Sequence, residues 1–212
     1  MANIKYSELL DEVLPYLAAD PSDPVTENAI KRTVIEFCAA SWIWKHMPDA
    51  IDVVAGESTY DLEPAAGTDI ATVVSAELDG IPLENRALTW LNKEVPRWRT
   101  EASRPKYFTQ VDTEQVILAA LPDSNITGGL TTTLALQPSQ SATSFPKWIF
   151  NQYLYVLAEG ALAKLMMMPN KPWTDIQNGA DRRTKFEAGI ANARASALSA
   201  LGSAPQRVTA QH

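Results

Sequence analysis

The chain has 212 residues, of which 46% are hydrophobic and 20% charged, and a formal net charge of −7. These fractions are close to globular averages, so we expect one folded domain, or one domain carrying an insertion. The single cysteine excludes an intrachain disulfide framework and a cysteine cluster for zinc or iron–sulfur. No apolar run follows residues 1–5 or is long enough to span a bilayer, so we expect neither a signal peptide nor membrane insertion.

The charge is unevenly distributed along the chain. Residues 1–143 carry 21 acidic and 10 basic side chains, whereas residues 144–212 carry 4 acidic and 8 basic ones. Nucleic-acid-binding proteins usually concentrate lysine and arginine on one face. The acidic body disfavours that function, because the basic cluster of Arg182, Arg183 and Lys185 covers only one short helix face.

Two helices are predicted at the start of the chain. Ser7 is a candidate N-cap for a first helix over residues 8–18, in which Pro15 predicts a kink. The second helix begins with Asp23 as N-cap and Pro24 at its first position, and it is expected to stop at residues 47–49. Its apolar stripe is Ile30, Val34, Phe37, Ser41 and Trp44.

The middle of the chain has the alternating pattern of strands. The predicted elements are strands at 51–54, 60–62, 73–78 and 81–83, a short helix at 89–98, and strands at 107–111, 115–118 and 130–136. Residues 55–58 and Asp79-Gly80 are turn sequences, so each predicts a hairpin. Together these elements predict an antiparallel module of about five to seven strands.

Two further helices are predicted near the end. Residues 147–167 are apolar on nearly every side, which is typical of a buried helix. After Pro169 and Pro172, residues 174–201 form an alanine-rich helix with Gly202 as its C-cap. Residues 203–212 are small and polar and lack acids, so we expect a flexible tail in the isolated protein.

This order of elements predicts an α+β fold. Residues 1–49 and 144–202 are expected to form a four-helix bundle, because helices at both ends of the chain bring the termini together. Residues 50–143 form an inserted β-rich module, and residues 203–212 an extended C-terminal tail. Inserted modules commonly serve contacts with other proteins.

No catalytic, cofactor-binding or metal-binding residues are predicted. His46 fits a charge at a helix C-terminus, His212 is the last residue, and Cys38 lies among apolar neighbours without a nearby histidine. Phosphate loops, zinc ligand sets and nucleophile elbows are missing from the sequence. We therefore expect no enzymatic activity and no cofactor.

Three other features have an ordinary structural interpretation beside a functional one. Glu8 with Asp11 or Glu12 could bind a cation but is more typical of a solvated helix face. Residues 166–168, three consecutive methionines, could bind copper but are more typical of core filling. Four tryptophans lie near helix ends and could serve the core or subunit contacts. They are Trp42, Trp44, Trp148 and Trp173.

Three segments carry a family resemblance. They are residues 48–62 (PDAIDVVAGESTYDL), residues 104–108 (RPKYF) and residues 148–173, which contain EGALA at 159–163 and a methionine-rich end. With these segments the chain resembles the head-to-tail adaptor proteins of tailed bacteriophages. The segments are scaffold patterns, so the resemblance indicates the class of protein and assigns no catalytic role.

The resemblance implies a structural virion protein. Twelve copies would form a ring beneath the phage portal, extend the channel through which double-stranded DNA passes, and present a platform to tail or nozzle proteins. The expected location is the head–tail interface of the virion, after synthesis in the host cytoplasm. No membrane contact is implied.

The C-terminal tail is the expected portal-docking element, ordered only in the assembled connector. Val208 and Thr209 favour strand and could extend a partner's sheet, while Arg207 could pair with a portal acid. The docking residues are Gln206, Arg207, Val208, Thr209 and His212.

Two alternatives remain open at this point. The chain could be another tail or nozzle subunit of the virion, although such proteins are usually dominated by strands and four helices are predicted here. It could also be a tail-associated hydrolase, which would need convergent carboxylates about 5–9.5 Å apart in a cleft. No particular aspartate or glutamate in the sequence indicates such a pair.

Overall fold

A computed structural model describes residues 2–199 and has the predicted α+β fold. Its helices are α1 (Leu10–Val13), α2 (Asp23–Ser41), α3 (Leu88–Glu94), α4 (Lys147–Met166) and α5 (Ile176–Ser199). The longest of these, α2, α4 and α5, begin within two residues of their predicted starts. The N-terminal, inserted and C-terminal helices therefore follow the predicted order.

The strands form a small sheet and a larger, curled mixed sheet. They are β1 (Asn3–Lys5), β2 (Lys45–His46), β3 (Ile51–Val53), β4 (Thr59–Asp61), β5 (Thr68–Leu78), β6 (Ile81–Asn85), β7 (Tyr107–Thr109), β8 (Gln115–Ala119), β9 (Ile126–Pro138) and β10 (Ser144–Pro146). β1 pairs with β10. The larger sheet has the order β2-β9-β5-β6-β7-β8-β4, and β3 also pairs with β9.

Helices α2, α4 and α5 share one hydrophobic cluster. Phe37 of α2, Leu157 of α4 and Phe186 of α5 are completely buried in it. The ring of Phe37 also contacts Tyr153, with ring centroids 4.9 Å apart. The predicted packing of the second helix against the apolar 147–167 helix is therefore confirmed.

The predicted four-helix bundle is not confirmed, because the first helix is too short. Residues 6–16 form a 3-10 turn (Tyr6–Leu9), the single α-helical turn α1 and a second 3-10 turn (Leu14–Tyr16). Pro15 lacks the N–H that a continuing α-helix would need. Leu9 and Val13 are nevertheless completely buried in the helical cluster, so the segment covers α2 and α4 without forming a fourth long helix.

Helix α2 ends six residues before the predicted stop. Trp42 has a left-handed backbone with φ of 56°, and its N–H closes the helix on the Cys38 carbonyl. Lys45 and His46 then pair with β9, which satisfies their backbone groups in the sheet. The prediction that Trp44 continues the helical stripe is wrong for this reason.

The two predicted hairpins have different outcomes. At Asp79-Gly80 both residues have positive φ, and β5 pairs directly with β6, as predicted. The hairpin predicted around residues 55–58 is wrong, since β3 pairs with β9 and β4 pairs with β8. That turn therefore carries the chain from one part of the sheet to another.

The module is mixed and not fully antiparallel. β6 and β7 pair in parallel, with Glu84 opposite Tyr107. Parallel neighbours need a crossover connection, and α3 lies in the segment that provides it. β7 and β8 form the antiparallel pair predicted for residues 107–118.

The larger sheet has its own hydrophobic cluster, which includes Leu78, Phe108 and Leu134. Trp44 packs against both this cluster and the helical one. The division into residues 1–49 with 144–202, an inserted module at 50–143 and a tail at 203–212 stays a prediction.

Gly160 of α4 is closely approached by both α2 and α5. A methyl group there would lie 2.5 Å from Thr33 Cγ2 and 2.7 Å from Phe186 Cδ2, and both neighbours are completely buried. The helices can therefore pack at this distance only with glycine at position 160.

We expect Gly160→Ala to lower the free energy of unfolding by about 1–2 kcal/mol. Overpacking costs about 1–3 kcal/mol, and contacts of 2.5–2.7 Å with buried side chains place this site in the upper part of that range, above the gain of about 1 kcal/mol from the helix propensity of alanine. Urea unfolding followed by tryptophan fluorescence measures the change. The control is Gln152→Ala on the exposed side of α4, with an expected change under about 0.5 kcal/mol. A variant as stable as the wild type would contradict the close packing.

Candidate assembly surfaces

Cys38 and His46 lie apart in structurally ordinary positions. Cys38 is completely buried, and burial raises the pKa of its thiol, which suits a small core residue. His46 lies in β2 opposite Leu134. Its predicted role as a charge at a helix C-terminus is wrong, because α2 ends at Ser41.

The acidic residues near the start of the chain and the three consecutive methionines were the two candidate metal sites of the sequence. Among residues 2–199, no three histidine, cysteine, aspartate or glutamate side chains lie close enough to hold a metal ion. Met166 is buried in the helical core, as predicted for a filler. Met167 is 46% exposed, and Met168 is half-buried at the edge of the core. Only one of the three methionines is therefore fully used inside the chain.

The basic cluster of α5 is largely used within the chain. Arg182 forms an ion pair with Glu159 at 2.7 Å, and its guanidinium lies 5.4 Å from the centre of the Tyr16 ring. Arg183 bonds to Glu36 and to Glu187, each at 2.7 Å. These contacts hold α5 against α2 and α4, and they leave only Lys185 of the cluster exposed without an ion pair in the described part of the chain.

Glu36 is the centre of this ion-pair network. Its carboxylate accepts hydrogen bonds from Lys164 of α4 and Arg183 of α5. Burial raises the pKa of Glu36, but the two cationic partners outweigh burial, so the pKa lies below its usual value of 4.5. The ionised carboxylate therefore links all three long helices.

The tryptophans near helix ends divide between core and rim. Trp44 and Trp148 pack against the helical cluster. Trp42 stacks against the Arg194 guanidinium, 3.9 Å from the ring centre, which ties the end of α2 to α5. Trp173 packs against the same cluster from the segment between α4 and α5, and it borders an open groove.

This groove lies between the start of α2, the end of α4 and the connection from α4 to α5. Its volume is about 760 Å³. The apolar lining residues are Pro24, Val25, Ala29, Met167, Met168, Pro169 and Trp173. We call this surface the Met–Trp groove.

Local hydrogen bonds hold the wall of the Met–Trp groove. The Thr174 hydroxyl donates to the Met168 carbonyl at 2.5 Å and accepts from the Lys171 N–H at 2.9 Å. The Asp175 N–H donates to the Met166 carbonyl at 2.9 Å. The indole N–H of Trp173 is buried without an acceptor among the described residues, which costs about 1–3 kcal/mol. The wall is therefore held by hydrogen bonds of Thr174 and Asp175, and the Trp173 N–H takes no part in them.

The charged side chains that line the Met–Trp groove are all basic. Lys164 is paired with Glu36, whereas Arg32 and Lys171 have no ion pair within residues 2–199. Arg32 and Lys171 are also exposed. The groove is thus apolar at its floor and positively charged at its rim.

A second cleft has the opposite charge. It has a volume of about 500 Å³ and is lined by residues 46–51 with Asp61, Glu63 and Pro64. Met47 projects there with 71% of its surface exposed. Residues 47–85 contain nine acidic residues and no lysine or arginine. Beside this cleft, the exposed side chain of Met47 stands among exposed carboxylates. We call residues 47–51 with Asp61 and Glu63 the acidic knob, after these exposed side chains.

The Met–Trp groove and the acidic knob use different parts of the chain around α2. The groove is lined by this 19-residue helix from Pro24 to Arg32, and Met47 follows six residues after the helix ends. Nine residues, or about 13 Å of helix, lie between Arg32 and the end of α2. No residue lines both surfaces.

The predicted docking residues of the tail lie outside the described residues. These are Gln206, Arg207, Val208, Thr209 and His212. None of the described helices is long and apolar enough to span a bilayer.

An α+β fold with two uncovered and complementary surfaces is typical of a protein that assembles with other chains. Residues 4–209 match the family described as SU10 adaptor protein. Because this match covers nearly the whole chain, the chain belongs to the SU10 adaptor protein family. A comparison with curated proteins finds no match. The predicted adaptor family is confirmed, and this membership supports a structural component of a phage virion.

We expect Glu36→Gln to reduce stability mainly near neutral pH. The pKa of Glu36 is lowered in the folded chain, so its ionised form contributes stability above the usual pKa of 4.5 and loses that contribution as the pH falls. Urea unfolding at about pH 7 and about pH 3 measures the difference from wild type, which should shrink in acid. Glu8→Gln, at an exposed site, is the control and should change stability by under about 0.5 kcal/mol. An equal loss at both pH values would contradict the network.

Proposed function

We propose that the chain is a head-to-tail adaptor that binds beneath the portal of a tailed bacteriophage. About twelve copies form a ring, extend the channel for double-stranded DNA and give tail or nozzle proteins their attachment platform. The ring lies at the head–tail interface of the virion, and the chain is made in the cytoplasm of the bacterial host. The observation that carries this proposal is the family match over residues 4–209.

The surface properties of the chain support the same function. The Met–Trp groove and the acidic knob are separate, uncovered and opposite in charge. A subunit of a ring needs two different surfaces, because each copy contacts one neighbour on each side. Ion pairs take up Arg182 and Arg183 of the basic cluster on α5, so only Lys185 of this cluster is left as an unpaired charge that would hold DNA as it passes.

We expect electron microscopy of the full chain mixed with purified portal to show rings end-on. Each ring should add a layer to the portal, because a closed set of equal contacts fixes the copy number. Portal alone and chain alone are the controls. If the chain never associates with portal rings over a range of concentrations, the adaptor function is wrong.

We also propose that residues 203–212 dock on the portal. Val208 and Thr209 can add a short strand to a sheet edge, and Arg207 can pair with an acidic side chain. Ten residues span roughly 30 Å when extended, at about 3.3 Å per residue, which is enough to cross a neighbouring subunit. Many weak tails in one ring together give strong binding.

We expect truncation after Gly202 to abolish portal binding and to leave the thermal melt nearly unchanged. The truncation removes none of the residues that form the helical and sheet clusters, so both clusters keep their contacts. Binding is measured by co-sedimentation with portal, and the melt by circular dichroism. A chain with residues 203–212 replaced by glycine and serine is the length-matched control and should also fail to bind. Normal docking of the truncated chain would contradict this role.

A further inference from the structure

The Met–Trp groove lacks a partner within the described chain. Its floor exposes Met167 and borders Trp173, two residue types that are enriched in the centres of protein interfaces. Its rim carries Arg32 and Lys171, neither of which has an ion pair within residues 2–199. An occupant that fits this surface must present an apolar side chain flanked by acids.

The acidic knob has this composition. Met47 is the most exposed large hydrophobic residue near the cleft, and Asp49 and Glu63 are exposed beside it. Methionine is unbranched and adaptable, and its sulfur makes favourable contacts with aromatic rings. The knob therefore offers an apolar tip for Trp173 and two carboxylates for Arg32 and Lys171.

We propose that the acidic knob of one subunit docks in the Met–Trp groove of the next. This assignment rests on the proposed ring and names its subunit interface. In it, Met47 inserts between Met167 and Trp173, while Asp49 and Glu63 face Arg32 and Lys171. The contact is heterologous, because each copy uses its groove towards one neighbour and its knob towards the other.

Two observations favour a second copy of this chain as the occupant. The knob and the groove carry opposite charges, so the knob of one copy attracts the groove of another. Two knobs, or two grooves, repel each other. No residue lines both surfaces, and the groove's lining on α2 ends at Arg32, fifteen residues before Met47. Each copy thus presents both halves of the contact.

The test uses two charge-reversed variants of the full chain. The groove variant is Arg32→Glu with Lys171→Glu, and the knob variant is Asp49→Lys with Glu63→Lys. All four positions are exposed, so circular dichroism melts should stay close to wild type. Assembly of the chain, alone and on purified portal, is followed by mass photometry and electron microscopy.

Each variant alone should assemble at least about tenfold more weakly than wild type, because like charges meet at every contact. An equal mixture of the two variants should restore rings in which they alternate, since each reversed groove then meets a reversed knob, and each unreversed groove an unreversed knob. The control, Lys93→Glu with Lys106→Glu on the inserted module, should assemble like wild type. Restoration by the mixture also shows that both variants are folded.

The outcomes separate this interface from the adaptor function. If the wild type forms rings and both variants do so equally well, the interface is wrong and the ring stands. If neither the variants nor their mixture assemble while the wild type does, the pairing of knob with groove is wrong. If the groove variant assembles normally and loses only a tail protein, the groove serves that partner instead. If the wild type fails to assemble even on portal, the proposed function itself is wrong.

Discussion

The close packing of α4 against both α2 and α5 is the constraint on which the other features depend. Because Gly160 has no side chain, Thr33 of α2 and Phe186 of α5 occupy the space that a methyl group at this position would need. The three helices therefore pack closely around this residue. The end of α4 and the start of α2 then form the two sides of the Met–Trp groove. The ion pairs from Glu36 to Lys164 and Arg183 add a charged link between the same helices. The packing of the three helices therefore also determines the shape of the Met–Trp groove.

Local sequence signals predicted the helix starts and turns that depend on residues close together in the chain. Asp23 and Pro24 mark the start of α2, and Asp79-Gly80 marks the β5–β6 turn, because cap and turn chemistry act over a few residues. Partners distant in the chain were not predictable in this way. β3 and β4 flank a turn sequence, yet each pairs with a strand more than 50 residues away. The stop of α2 likewise depends on β9, which draws Lys45 and His46 into the sheet.

The sequence did not predict the Met–Trp groove, because residues that are distant from one another in the chain form it. Trp173 and residues 166–168 were recognised separately, as a helix-end aromatic and a core filler. The groove exists only because these residues meet Pro24 and Val25, which are more than 130 residues earlier in the chain. The run of acids from residue 47 to residue 85 was a visible signal, but overall charge alone did not point to a particular surface. The predicted basic cluster was real in sequence, but ion pairs absorb most of it.

The position of Trp44 has a mechanical consequence. Its indole contacts both the helical and the sheet cluster, only three residues after α2 ends. A hinge requires a connection whose two sides share few buried contacts, and residues 42–46 do not meet this condition. The contacts of Trp44 with both clusters therefore oppose bending of the sheet relative to α2 at this junction.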